Sequence, residues 1–154
     1  YILAVRGNNM KLTVEQDNKY DEPEIIIRCS VINAELQKII DEVNVCSFTV
    51  KGYKDGYVRK IHHDSICYIE SVDEKTFIYC ADSIYECKMK LYELEEVLVN
   101  SSFVRISKGC ILNIHFIEKV KPLLNGKYEV LLLNGEKLII NRHYVPVFKK
   151  KFGL

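Results

Sequence analysis

The side chains in this sequence best suited to meeting a polyanion are a few arginines and lysines. Arg142 carries a planar fork of donors that matches guanine O6 and N7, or a phosphate, two bonds at a time. Lys108 stands between Ser107 and Gly109, where a small neighbour lets the backbone approach a phosphate closely. Lys75 offers a phosphate contact, and Thr76 a methyl or hydroxyl contact. On chemistry alone each of these charges reads more readily as solvated, so residue type nominates the positions without selecting them.

Covalent and metal chemistry find weaker footing. The six cysteines (Cys29, Cys46, Cys67, Cys80, Cys87 and Cys110) include no close C-x-x-C pair, and most lie in apolar runs such as Ser65-Ile66-Cys67-Tyr68-Ile69. They read as small hydrophobic residues in a reducing compartment. His62-His63-Asp64 could suggest a metal, but adjacent strand residues point to opposite faces and no second ligand set has metal spacing. Cys110 with His115 is the one thiol-enzyme candidate. A catalytic thiol needs a lowered pKa and a positioned base, and the apolar run after Cys110 predicts burial instead. The expectation is therefore no enzyme, no cofactor, no metal and no small-molecule substrate.

Those side chains need a scaffold. The chain has 154 residues, 48% hydrophobic and 28% charged, enough for one ordinary domain or a small domain with an appendage. No apolar stretch approaches the roughly 20 residues of a membrane helix, and nothing at the start reads as a signal peptide. A cytoplasmic protein is expected. The net charge of +1 does not advertise nucleic acid, but counterion release depends on the phosphates contacted and not on the total. Acids crowd the stretch from Met10 to Asp41, whereas Arg142, His143, Lys149, Lys150 and Lys151 gather near the end.

Residues 1–9, ahead of Met10, read as a tag or upstream remnant. Lys11 to Glu15 alternates with the period of a half-buried strand, and the β-branched run Glu24 to Cys29 predicts a second. Ile32, Leu36, Ile39, Ile40 and Val43 mark one face of a helix with Asn33 as N-cap. Asp55-Gly56 predicts a hairpin pairing Phe48–Lys51 with Tyr57–Ile61. Residues 10–57 thus form a small β-β-α-β unit, suited to dimerisation or regulation. Beyond it short strands dominate: Ser65–Ser71, Thr76–Cys80, Tyr85–Met89, Phe103–Ile106, His115–Leu123, Lys127–Leu133 and Glu136–Ile140. A short helix spans Leu91 to Leu98. A last one runs from Arg142 toward Phe152, burying Val145 and Phe148 and exposing its lysines. The fold class is α+β and mostly β, and periodicity alone gives it no function.

Several blocks in order resemble the LytTR-type DNA-binding domain: Ile66-Cys67-Tyr68-Ile69-Glu70-Ser71, Leu91 to Leu98, Phe103 to Asn113, Ile117 to Val120, the Asn134-Gly135 turn, and Ile140-Asn141-Arg142-His143-Tyr144. The resemblance spans about residues 58 to 152 and implies a domain over 58–154. It implies an elongated, multi-sheet β domain that reads double-stranded DNA with loops entering successive major grooves. Those loops are Val72 to Thr76, Ser107 to Gly109 and Asn141 to His143. The site residues it implies are Lys75, Thr76, Ser107, Lys108, Asn141, Arg142 and His143. Arg105 either pairs with an acid on the sheet or reaches a phosphate. Asp73 and Glu74 depart from the pattern, since carboxylates repel phosphate. About 50 residues precede the domain, too few for a receiver domain. The resemblance to stand-alone regulators implies a homodimer or cooperative binding at repeated sites, with control by a membrane-protein partner. The competing reading is a signalling or protein-interaction module without DNA.

Overall fold

A computed structural model of the chain describes residues 2–6, 10–21 and 23–154, which divide into two compact units, Tyr1–Ile32 and Asn33–Leu154. In the first unit, strands β1 (Ile2–Arg6) and β2 (Lys11–Glu15) pair antiparallel, Ile2 opposite Glu15 and Arg6 opposite Lys11. The partner of the alternating Lys11–Glu15 strand is thus the stretch before Met10. It is not Glu24–Cys29, which has no regular structure and leaves Ile25 and Ile26 64% and 58% exposed. A β-branched run prefers a pleated, half-buried surface, and propensity without that surface does not make a strand.

The second unit opens with α1 (Ala34–Ser47), capped as expected by Asn33, whose Oδ1 accepts from the Leu36 N–H at 2.9 Å. Strands β3 (Thr49–Lys54) and β4 (Tyr57–His62) then form the expected hairpin, Val50 opposite Ile61 and Lys54 opposite Tyr57. Asp55 and Gly56 take φ of 51° and 80°, the left-handed pair that a two-residue turn between twisted strands requires. Next come β5 (Ile66–Val72), β6 (Lys75–Cys80), β7 (Ile84–Cys87), α2 (Leu91–Leu98), β8 (Phe103–Ser107) and β9 (Cys110–Asn113). Last are β10 (Ile117–Pro122), β11 (Tyr128–Leu132), β12 (Lys137–Ile140) and α3 (Val145–Phe152).

Seven strands make one sheet in the order β4-β3-β7-β6-β5-β9-β8, and β10-β11-β12 make a second. The larger sheet is covered on both faces. Ile66, Ile69, Ile78 and Ile111 pack with Leu91, Leu94 and Leu98 of α2 on one face. Cys67, Tyr68 and Leu112 pack on the other with Val130, Leu132 and Ile140 of the small sheet and Phe148 of α3. Strand β9 is buried at all four positions. A strand buried on both faces shows an apolar run without alternation, so its sequence carries no strand period. The division expected at residue 57 runs through this sheet: β3 and β4 belong to it, and the compact units part after Ile32 instead.

Candidate nucleic-acid interface

The turn between β5 and β6 is a two-residue link, with Val72 opposite Lys75. Asp73 and Glu74 occupy it at φ of 48° and 66° without a glycine, a conformation that disfavours glutamate in particular. The Lys90 ammonium donates to the Glu74 carbonyl at 3.2 Å. Lys75 is exposed and lies 3.5 Å from the Glu86 carboxylate, a loose surface pair that a phosphate could displace. Thr76 is 2% exposed inside β6. That corrects the expectation for Thr76: the residue lies within the sheet, and its side chain offers nothing to a duplex.

The turn between β8 and β9 lies beside it. The Ser71 N–H donates to the Gly109 carbonyl at 2.7 Å, and a Cβ on Gly109 would sit 3.1 Å from the Ser71 carbonyl oxygen. Glycine is what lets the two turns come this close. Within the second turn the Ser107 hydroxyl accepts from the Gly109 N–H at 3.2 Å. Lys108, at the tip, is exposed and has no ion-pair partner among the described residues. Arg105 does not reach outward. Its side chain is 18% exposed, and it donates from Nη1 to Glu95 at 2.6 Å, from Nε to the Ser107 carbonyl at 2.7 Å, and from Nη2 to the Lys108 carbonyl. Of the two roles expected for Arg105, the structure shows the acid pairing, and the acid is on α2.

The third segment is joined to the second through β8. The Asn141 N–H donates to the Ile106 carbonyl at 2.9 Å, and Arg142–Tyr144 then turn as a short 3-10 helix into α3. Asn141 is half-buried, while Arg142 and His143 are exposed. The His143 ring meets Tyr144 edge-on at 5.0 Å. The aliphatic stem of Arg142 lies along Gly126, where an added Cβ would be 3.4 Å from its Cγ and Cδ. Gly126 closes the β10–β11 turn, so a residue distant in sequence seats the arginine. The spacing of Asn125-Gly126 signals the turn, but nothing in it signals the contact.

The basic C-terminus is less open than its composition suggests. In α3 only Lys150 of the three consecutive lysines is exposed. The Lys149 ammonium lies over the Tyr128 ring, 5.1 Å from its centre. Lys151 donates to the carbonyls of Val99 and Phe103 at 3.0 and 2.7 Å, and burial pulls its pKa below the usual lysine value. The expectation that all these lysines face solvent therefore fails for two of them.

Cys110 is buried, and desolvation pushes its thiol up to about 12. That is the opposite of an activated nucleophile, and the exposed His115 has its backbone N–H on the Asn113 side chain. Among the described residues, no group of three or more His, Cys, Asp or Glu side chains could hold a metal ion. No helix among the described residues is long and apolar enough to cross a membrane. The three α-helices among the described residues are each separated by strands, so they do not form a helix-turn-helix. What the second unit presents is a set of adjoining turns, tipped by Lys75, Lys108, Arg142 and His143.

Known proteins are similar to this chain in sequence and in fold. The chain resembles an uncharacterized HTH-type transcriptional regulator of Staphylococcus aureus (strain MSSA476), 29% identical over 147 residues that cover 94% of this chain and 99% of the relative. The sensory transduction protein LytT of Enterococcus faecalis is 33% identical over 88 residues, 56% of this chain and 36% of its own length. Among solved structures, the LytTr DNA-binding domain of a Bacillus cereus methyl-accepting/DNA response regulator superposes with a TM-score of 0.65 at 24% identity, covering 69% of this chain and 97% of that one. This likeness establishes the fold. The family model described as the LytTr DNA-binding domain matches residues 57–153, which take in all three turns, the small sheet and every strand of the large sheet except β3, and the chain belongs to that family.

Proposed function

We propose that this chain is a bacterial transcriptional regulator that binds promoter DNA sequence-specifically, acting in the cytoplasm by inserting its turns into successive major grooves. The observation that carries the reading is the pair of backbone bonds, Ser71 to Gly109 and Asn141 to Ile106, that hold three separate turns side by side. Adjoining turns on a rigid sheet can present several cations to one duplex without a recognition helix. Lys108 and Lys75 supply phosphate contacts, Arg142 supplies the fork that a guanine edge accepts, and Ser107, Asn141 and His143 add shorter donors. The S. aureus relative, named a transcriptional regulator and matched along nearly its whole length, supports the same reading.

Binding by two copies at repeated sites fits the exposed apolar side chains of the first unit, where Leu12, Val31 and Ile32 are 55%, 73% and 56% exposed. The same surface supports the competing reading, a module that binds a protein such as a membrane-bound regulator and no DNA. Selection of bound duplexes from a random pool decides between them. The expected outcome is an enriched, repeated motif whose half-site spacing is near one helical turn or a multiple of it. Recovery of unselected sequences, alongside a stable protein partner, would overturn DNA reading.

A further inference from the structure

We infer that Arg105 is a positioning residue that α2 holds in place through Glu95, and that this brace sets the shape of the Ser107–Gly109 turn for DNA. The inference rests on the DNA-binding reading for its consequence but not for its geometry. Strand β8 leaves regular pairing between Arg105 and Ser107: Arg105 lies opposite Ile111 and Ser107 opposite Cys110, with the ladder shifted between them. The irregularity turns the carbonyls of Ser107 and Lys108 toward the Arg105 guanidinium, which donates to both. A third donor goes to Glu95 at 2.6 Å. Three of the five guanidinium N–H donors are thus committed inside the protein, and with the side chain 18% exposed the other two are poorly placed to serve as the main phosphate contact.

Glu95 is the less buried partner, its side chain 46% exposed on α2, whose Leu94 and Leu98 are fixed in the core. The carboxylate orients the guanidinium, and the guanidinium orients two successive carbonyls of the turn that carries Lys108. A negative charge near the proposed interface thus serves binding by geometry while opposing it by charge. That conflict gives the inference a test of sign.

Replacement of Glu95 by alanine removes a negative charge near the DNA. If Arg105 were a phosphate contact that Glu95 merely competes for, binding to the selected duplex would tighten. A brace predicts weakening by about 10-fold, with the slope of affinity against salt unchanged because no phosphate contact is lost. Arg105→Lys keeps the charge and loses the fork, and it is expected to weaken binding to a similar degree. Thermal melting checks that both variants fold. Backbone amide exchange at Lys108 and Gly109 provides the readout without DNA: both variants should accelerate it, and Lys108→Ala should not. Tighter binding by Glu95→Ala, or unaltered exchange in both variants, overturns the inference. If the wild-type chain selects no DNA, the functional reading falls, and amide exchange alone decides the brace.

Discussion

Lys108 and Arg142 are both exposed cations on adjoining segments, yet their chemistry assigns them different losses. An ammonium on a phosphate contributes counterion release and little base preference. Lys108→Ala should therefore weaken all duplexes alike and lower the salt slope by about 1, measured by anisotropy titrations at several salt concentrations. Arg142→Lys retains charge but not the fork, so the expected cost is about 1–3 kcal/mol on the preferred duplex with relaxed preference at one base position. Equal losses on all sequences would make Arg142 a phosphate contact instead. The buried thiols supply a prediction of another kind. Cys110 has a folded-state pKa raised from 9.0 to about 12, and Cys67 is raised to about 11. A raised folded-state value means that stability is full below the unfolded value and declines as pH climbs from about 9 toward 12. Urea midpoints measured across that window should fall, and Cys110→Ala should flatten the decline. Residue type made Lys108 and Arg142 visible in the sequence. It did not reveal that Arg105 faces Glu95, because an arginine's partner is set by which helix packs over it.

Two of the tight hairpins of the large sheet show how far local sequence reaches at the scale of elements. Asp55-Gly56 announces its turn, and the pairing of β3 with β4 follows from it. Asp73-Glu74 adopts the same left-handed geometry without the usual residues, so only the family resemblance marked it as a loop of interest. Glu74→Gly should stabilise the chain by about 0.5–1 kcal/mol in thermal or urea melts, since glycine takes φ of 66° without the Cβ penalty. It should also strengthen DNA binding by removing a carboxylate beside the proposed interface. A destabilised variant would mean that the glutamate side chain contributes more than its backbone conformation costs. Gly52 in β3 has the opposite constraint. A Cβ there would fall 2.4 Å from Ile61 Cδ1 and 2.7 Å from Tyr85 Cβ. The isoleucine tip can move, but the tyrosine Cβ is fixed to β7, so Gly52→Ala should lower stability by about 1–3 kcal/mol. The Tyr85 contact could not be read from the sequence, because β7 lies beside β3 in the sheet but not in the chain.

At the scale of the whole molecule, the fold class and most of the strands of Asn33–Leu154 were legible, because turns with fixed φ preferences punctuate them. The boundary between units was not. A change of element pattern near residue 57, from a small β-β-α-β unit to a run of short strands, suggested a division, but a sheet does not end where the pattern changes; it ends where the next strand finds no neighbour. Strand β3 finds β7 as well as β4, with Gly52 opposite Cys87 and Tyr53 opposite Glu86. The family match begins at Tyr57, whereas the core of this chain includes Val50, 2% exposed and packed with Ile61 and Tyr85. Both hydrophobic clusters lie within Asn33–Leu154. A fragment of residues 33–154 should therefore fold cooperatively, melt within a few degrees of the full chain and still bind a single half-site. A fragment of residues 58–154 keeps most of the family domain but strips β3 from β7, leaving a bare sheet edge and a gap where Val50 packs. It should melt roughly 10 °C or more lower and tend to associate through that edge, as circular dichroism and sedimentation velocity would report. Equal melting of the two fragments would place β3 outside the cooperative core.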